Sequence, residues 1–148
     1  MELAYAFFAE AAQITADGKV NVLGADARGF QGRFPLLLPS IALVAKVELD
    51  NTEREGVHHV IAQMLGPDGA DMEPRIEGNY EAPPPVNPEL KASFTILFQI
   101  FGMTFPTQGV YTFRISVDGR ELKRLRLRLT EAQEQPSQAR ALQEATVT

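Results

Sequence analysis

The sequence contains no cysteine, which excludes disulfide bonds, cysteine nucleophiles and thiolate metal sites but leaves the cellular compartment open. It also has no apolar run near the ~20 residues that a membrane-spanning helix requires. The apolar opening segment lacks a basic region, and Glu2 and Glu10 bracket a very short apolar stretch, so we expect no signal peptide. These features predict a soluble, cytoplasmic protein without a membrane partner.

Motifs of catalysis are missing as well: there is no nucleophile elbow, phosphate-binding loop, zinc motif or recognisable acid pair. We therefore expect neither an enzyme nor a cofactor. The only histidines, His58 and His59, would point to opposite faces of a strand and could not easily bind one metal ion. Asp68, Asp71 and Glu73 could surround a calcium ion, but they lack the spacing of a calcium loop, so a solvated turn is expected.

The chain has 148 residues, a hydrophobic share of 45% and a net charge of −5, which together predict one folded domain. The acidic pI of about 5.0 argues against nucleic acid or an acidic membrane as the main partner. We place the domain at residues 1–130. Residues 131–148 form a polar tail that we expect to be disordered or to hold a short helix from Ser137 to Ala145.

The clearest structural pattern is a β-hairpin over residues 109–129, with a turn at Asp118-Gly119. Apolar residues alternate along both arms, at Tyr111, Phe113, Ile115 and Val117 and again at Leu125, Leu127 and Leu129. A strict two-residue turn would place Phe113 opposite Arg124. Because a one-residue slip reverses the face of every side chain, the pattern predicts a three-residue loop or a bulge near Lys123.

The remaining segments predict further strands. We favour an opening hairpin over an N-terminal helix, a loop over residues 24–35 with Phe30 and Phe34 as anchors, and a strand that begins near Ser40 because Pro39 cannot lie within a central strand. Further strands are predicted at 57–65, at 73–81 on a sheet edge, and at 90–105 with a bend at Gly102; the proline-rich residues 82–88 should cross between two sheets. The sum is an all-β, single-domain antiparallel β-sandwich of about eight strands, immunoglobulin-like or jelly-roll-like.

Several stretches carry a likeness to known proteins. They are the opening Met-Glu-Leu-Ala-Tyr-Ala-Phe-Phe-Ala, the turn Asp17-Gly18-Lys19 before Leu23-Gly24, Phe34-Pro35 with residues 39–44, and the closing Gly-Val-Tyr-Thr-Phe and Val-Asp-Gly. On these residues the chain resembles a family of small bacterial proteins of unknown function over about residues 1–130. The resemblance implies a bacterial β-sandwich and supplies no catalytic residue. Residues 109–111 also resemble the tyrosine corner of immunoglobulin-like sandwiches.

Six of the 14 basic residues lie in the closing hairpin. The alternation places Arg114, Arg124, Arg126 and Arg128 on its polar face. This face is a candidate dock for an acidic partner or anionic ligand, because arginine binds carboxylate and phosphate through two hydrogen bonds. The alternative is a solvated outer face that discourages edge pairing. No aromatic residue interrupts it, which argues against single-stranded nucleic acid.

Phe101, Met103 and Phe105 are a second candidate surface, because a small sandwich need not bury them all. They predict an oligomer interface, with a two-fold dimer as the simplest form, or else belong to the core. Our first hypothesis is therefore a non-catalytic β-sandwich that acts by protein–protein contact and self-associates. The alternative is a small-ligand or carbohydrate-binding module that uses the loops at one end of the sandwich.

Overall fold

The computed structural model describes residues 1–133, and within them the chain forms nine β-strands and no helix. In chain order the strands are β1 (Glu2–Ile14), β2 (Val20–Ala25), β3 (Gly29–Gly32), β4 (Leu36–Leu49), β5 (Val57–Leu65), β6 (Asp71–Glu81), β7 (Ala92–Phe105), β8 (Gly109–Val117) and β9 (Arg120–Glu131). The helix predicted from Ser137 to Ala145 lies outside the described residues.

The strands form two sheets that pack face to face. One sheet has four strands in the order β2-β1-β4-β7, and the other has five in the order β3-β9-β8-β5-β6. All neighbours are antiparallel except β3 and β9. Residues 82–91 link β6 to β7 and so cross from one sheet to the other, as the proline-rich sequence predicts. The all-β sandwich is confirmed, with nine strands where about eight are expected.

The closing hairpin supplies much of the core, because its alternate apolar side chains all face the opposite sheet. Tyr111, Phe113, Leu127 and Leu129 are completely buried. Phe113 pairs with Leu125, and Tyr111 pairs with Leu127. Since Ile115 pairs with Lys123 while Ser116 pairs with Glu121, one extra residue lies in β9. This is the predicted bulge, and it keeps the apolar residues of both arms on one face.

Two predictions about local structure are wrong. Residues 29–32 are not loop but the short strand β3, which forms a parallel pair with β9 and packs Phe30 against the core. β4 begins at Leu36 rather than near Ser40, so the strand runs through Pro39. The ladder pairs Leu38 with Met103 and Ser40 with Phe101, and no pairing is made at Pro39 itself. A residue without an N–H group is tolerated there.

A crease crosses the four-stranded sheet at Gly24, Glu10, Pro39 and Gly102. Glu10 falls opposite Gly24 in the β1–β2 register, and Pro39 falls opposite Gly102 in the β4–β7 register. Both glycines have positive φ angles, +65° and +67°, which residues with a side chain rarely adopt. At the Pro39–Gly102 rung, the buried apolar residues of β4 change from even to odd positions, from Leu38 to Ile41. Those of β7 also change from even to odd positions, from Phe98 to Met103. This confirms the bend predicted at Gly102.

Beyond the crease, the tip of the β1–β2 hairpin folds over the outer face of its own sheet. Ala12, Val20 and Val22 pack on a small cluster that includes the buried Ala42 and Val44, and Leu97 of β7 also packs there. Side chains hold the tip in place. The Ser40 hydroxyl donates to the Glu10 carbonyl at 3.1 Å, and the Ala12 N–H donates to Oε1 of Gln99 at 3.4 Å. The sandwich therefore has a second, smaller apolar cluster outside its main core.

Candidate functional site

The three apolar residues of the candidate oligomer surface occupy different environments. Phe105 is fully buried and stacks edge-on against Tyr111 with ring centroids 4.8 Å apart, while Met103 is 6% exposed. Both belong to the main core, because the crease at Gly102 turns them inward. Phe101 lies before the crease and is 75% exposed. Of the three, only Phe101 remains on the surface of the chain.

Phe101 lies on β7, an edge strand of the four-stranded sheet. Of the described strands only β4 pairs with β7, so the other side of the strand carries unpaired backbone groups. The strand has 14 residues, and none of them is charged or a proline. Natural edge strands usually carry such residues, because they prevent pairing with another chain. The whole of β7 lacks this protection.

One backbone group on the free side of β7 has a partner. Burial raises the pKa of the Tyr80 phenol, and a hydrogen bond from the backbone of Leu97 opposes that rise in pKa. Tyr80 belongs to β6 of the other sheet, and its ring stacks on Phe94 with centroids 5.4 Å apart. Because Tyr80 lies outside the β4–β7 ladder, the N–H of Leu97 must point away from β4. Residues at the same parity, including Gln99 and Phe101, present their N–H groups to the same free side.

The predicted arginine face lies on the outer side of the five-stranded sheet. The register aligns Arg75 of β6, Gln63 of β5, Arg114 of β8 and Arg124 of β9 in one row across four strands. Gln63 is only 5% exposed, and its amide donates to the carbonyls of Met64 and Met72, each at 3.0 Å. Gln63, in the middle of this row, is therefore held in place by hydrogen bonds from its side chain to the backbone.

Ion pairs neutralise some of the charges on the arginine face. Arg124 contacts Glu121 at 2.8 Å, while Arg114 reaches Asp71 only at 3.9 Å. Within residues 1–133, Arg126 and Arg128 have no ion-pair partner, and both are exposed. Arg114 and Arg124 are direct cross-strand neighbours, an arrangement of like charges that destabilises a sheet. The arginines of this face thus lie close together, and acidic side chains of residues 1–133 neutralise only some of them.

The two histidines point to opposite faces, as expected for adjacent strand residues. His58 is buried, stacks on Phe94, and donates from Nδ1 to Oδ2 of Asp118 at 2.7 Å. Its Nε2 is buried and has no hydrogen-bond partner among residues 1–133. His59 lies on the outer face, with its ring nitrogens 2.8 Å from Oδ1 of Asn79 and 3.1 Å from Oε2 of Glu77. Both rings are therefore engaged in contacts that join strands.

Asp118 fastens the turn between β8 and β9 to the start of β5. Its Oδ1 accepts the N–H of His59 at 2.9 Å, and its own N–H donates to the His59 carbonyl at 2.8 Å. Burial alone would raise the pKa of Asp118, but the His59 N–H and the His58 ring together lower it below its usual value. Asp118 has a φ angle of +51°, a conformation that aspartate tolerates better than most residues.

The loop end of the sandwich contains an open cleft of about 400 Å³, lined by Arg54, Glu81 and the prolines 83–85 among others. Its charged side chains are exposed rather than gathered inside a pocket. The three acids considered for calcium are likewise not gathered: Oδ1 of Asp68 accepts the N–H of Ala70 within the turn, and Asp71 faces Arg114. Within residues 1–133, no three histidine or acidic side chains are arranged to hold a metal ion.

Sequence reasoning found the arginine face but missed the open edge of β7. The signal was present, because residues 92–105 contain neither charge nor proline, but strand order cannot be derived from this segment alone. Tyr80 was also missed, since its contact with Leu97 joins two sheets. Residues 1–133 contain no helix that could cross a membrane.

These features define a class of protein, a two-sheet β-sandwich with a long edge strand that lacks charge and proline and with a basic outer face. A model of a family of unknown function, DUF6941, matches residues 4–130, and the chain belongs to that family. The resemblance to a family of unknown function over about residues 1–130 is thereby confirmed. A search of curated proteins found no match.

Proposed function

We propose that this protein is a non-catalytic interaction module that self-associates by pairing β7 with β7 of a second copy. The observation that carries the proposal is the edge itself: 14 residues without a charge or a proline, whose side away from β4 pairs with no strand of residues 1–133. Strand addition to such an edge provides main-chain hydrogen bonds and is a common mode of protein recognition. Antiparallel pairing of a strand with its own copy also obeys two-fold symmetry, the commonest symmetry of oligomers.

The order of the strands supports this role for the edge. The series β1-β4-β7 and β9-β8-β5 follow the order A-B-E and G-F-C of immunoglobulin domains, in which strand D covers the free side of strand E. Here β7 occupies the place of E, and no described strand occupies the place of D. The hydroxyl of Tyr111 also donates to the carbonyl of Thr107 at 2.6 Å, in the manner of a tyrosine corner.

The contact of Tyr80 with β7 restricts where a second copy can pair. Because the Tyr80 ring packs on Phe94 and Phe98, pairing is favoured on the part of β7 that follows them, which includes Gln99 and Phe101. Phe101 is the largest apolar side chain exposed on this part of the strand. Two-fold pairing would bring it against the partner sheet and remove apolar surface from water. The two four-stranded sheets would then form one continuous sheet.

The histidine contacts support a non-catalytic role. His58 is enclosed by the core and by Asp118, and His59 is held between Asn79 and Glu77. In the described part of the chain, neither ring is poised beside a nucleophile at the base of a pocket. The side chains with the best-defined polar geometry therefore tie strands together.

Sedimentation equilibrium across a micromolar dilution series tests the proposal. The wild type should show a concentration-dependent dimer, and Phe101→Asp should weaken it by about 100-fold or more, because each protomer loses an apolar contact and gains a charge at the paired edge. Leu23→Asp is the matched control: Leu23 is 67% exposed on β2, at the opposite edge of the same sheet. A wild type that stays monomeric throughout, or equal weakening by both variants, would refute pairing through β7.

A further inference from the structure

The outer face of the five-stranded sheet has a property that self-association through β7 does not use. Arg124, Arg126 and Arg128 project from alternate positions of β9, and the bulge lies before them, so their spacing is regular. Alternate residues of a strand lie roughly 6.6–6.8 Å apart. The three exposed arginine side chains therefore leave β9 at the repeat of an extended polypeptide.

The surroundings of this series leave it accessible. The β8 residues opposite Arg126 and Arg128 are Thr112 and Val110, which are short, and the β3 residue opposite Arg128 is Gly29, which has no side chain. A Cβ atom at Gly29 would lie 2.9 Å from the Arg128 carbonyl oxygen, so the two backbones pack closely there. No long side chain therefore lies in the register positions opposite Arg126 and Arg128, so an extended chain can lie along this part of β9.

The charges indicate what kind of chain would bind. Within residues 1–133, Arg126 and Arg128 lack ion-pair partners, and Arg124 shares only Glu121. The cross-strand neighbour of Arg124 is Arg114, so an incoming anion would relieve repulsion between the two guanidinium groups. Arginine binds carboxylates through paired, charge-assisted hydrogen bonds.

We infer that the series Arg124, Arg126 and Arg128, with Arg114 beside it, binds an extended acidic segment of another protein. The segment would carry aspartate or glutamate at alternate positions, so that successive carboxylates on one side meet successive arginines. A protein segment is favoured over single-stranded nucleic acid because no aromatic side chain lies on this face for bases to stack on. The net charge of −5 further disfavours a long polyanion.

The test compares two labelled seven-residue peptides of equal composition by fluorescence anisotropy. One alternates threonine and glutamate, and the other has its three glutamates in succession. The alternating peptide should bind the wild type at least about fivefold more tightly, and added salt should weaken both, since the contacts are ionic. An oligothymidine of similar charge is the third probe. Binding of oligothymidine as tight as that of the alternating peptide, or no preference for alternation, would overturn the inference.

Paired variants establish whether binding uses these arginines. The double variant Arg126→Glu/Arg128→Glu should weaken the alternating peptide by about tenfold or more, because two charge-assisted contacts become repulsive. Lys19→Glu/Arg54→Glu makes the same change in net charge at exposed positions elsewhere and should change affinity by less than about twofold. Equal losses in the two double variants would show that only overall charge matters and would refute the site.

Discussion

β6 and β7 are edge strands of different sheets that lie on the same side of the sandwich, yet only β6 is protected. Their contact runs through Tyr80 of β6, which packs on Phe94 and Phe98 of β7. β6 carries acidic residues at Asp71, Glu73, Glu77 and Glu81 and a proline at Pro74. β7 is longer and carries neither. Because both edges face the same solvent, composition and not location distinguishes them.

The comparison indicates that the open edge is not a general property of this fold. Charges and proline on β6 make strand addition unfavourable, as they do on natural edges elsewhere. A sequence that protects one long edge could protect the other by a single lysine at an outward position of β7. The absence of any such residue is what we expect of an edge that is kept for pairing.

The largest effect on stability should come from a substitution in the buried face of β7 rather than at its edge. Ile96 is fully buried between the sheets, so Ile96→Ala should lower the free energy of unfolding by about 3 kcal/mol through lost burial and a cavity. Ile76 faces inward from β6 but is only partly buried, so Ile76→Ala should cost about 1 kcal/mol. Urea denaturation of both variants measures this difference. Equal losses would mean that the two edges contribute alike to the core.

A smaller effect should follow from the contact that joins the two edges through aromatic stacking. His58, Phe94 and Tyr80 stack in series, and Asp118 holds the His58 ring. Asp118→Asn tolerates the same backbone conformation but removes the charge, and it should cost about 1 kcal/mol at pH 7.

The pH dependence of that variant provides an internal check. The folded-state pKa of Asp118 lies below its ordinary value, so its stabilising contribution is present above the unfolded pKa of about 3.9 and is lost as the pH falls through the folded pKa. The difference in unfolding free energy between wild type and Asp118→Asn should therefore shrink as the pH is lowered below about 4. A difference that is constant down to acidic pH would contradict the ionic role of Asp118.

The smallest effect concerns the hydroxyl of Tyr80, whose pKa is raised by burial and lowered in part by a hydrogen bond from the backbone of Leu97. Tyr80→Phe removes the hydroxyl that accepts from Leu97 while keeping the stacked ring, and so lengthens the free edge. Sedimentation equilibrium should detect about two- to threefold tighter self-association. Phe98→Leu, which alters the neighbouring ring contact but leaves the hydroxyl, serves as the control. Weaker association of Tyr80→Phe would place the pairing elsewhere on the molecule.

The closing hairpin could be predicted down to its bulge because the pattern of Tyr111, Phe113 and the leucines of β9 left no other way to bury one face. The arginine face followed from the same alternation. β3 could not be predicted, because its four residues include two glycines and β9, the strand with which it pairs, lies about 100 positions away in the chain.

Other errors arose where long-range pairing outweighs local preference. The sequence predicts a strand that begins near Ser40, after Pro39, but β4 continues through Pro39 because Gly102 lies opposite and the ladder skips that rung. The bend at Gly102 was predicted, whereas the resulting burial of Met103 and Phe105 depends on how the bent strand meets β8. The open edge of β7 likewise depends on the order of all the strands, which no single segment specifies.

The folded-over tip of the first hairpin gives β7 a neighbour that the strand order does not reveal. Leu97 packs in the small cluster beneath that tip, and the Gln99 side chain holds the tip by a hydrogen bond to Ala12. Loosening of the tip would therefore expose one face of β7, and no strand of residues 1–133 pairs with the side of β7 away from β4. The surface that β7 exposes is thus set partly by a segment about 80 residues earlier in the chain.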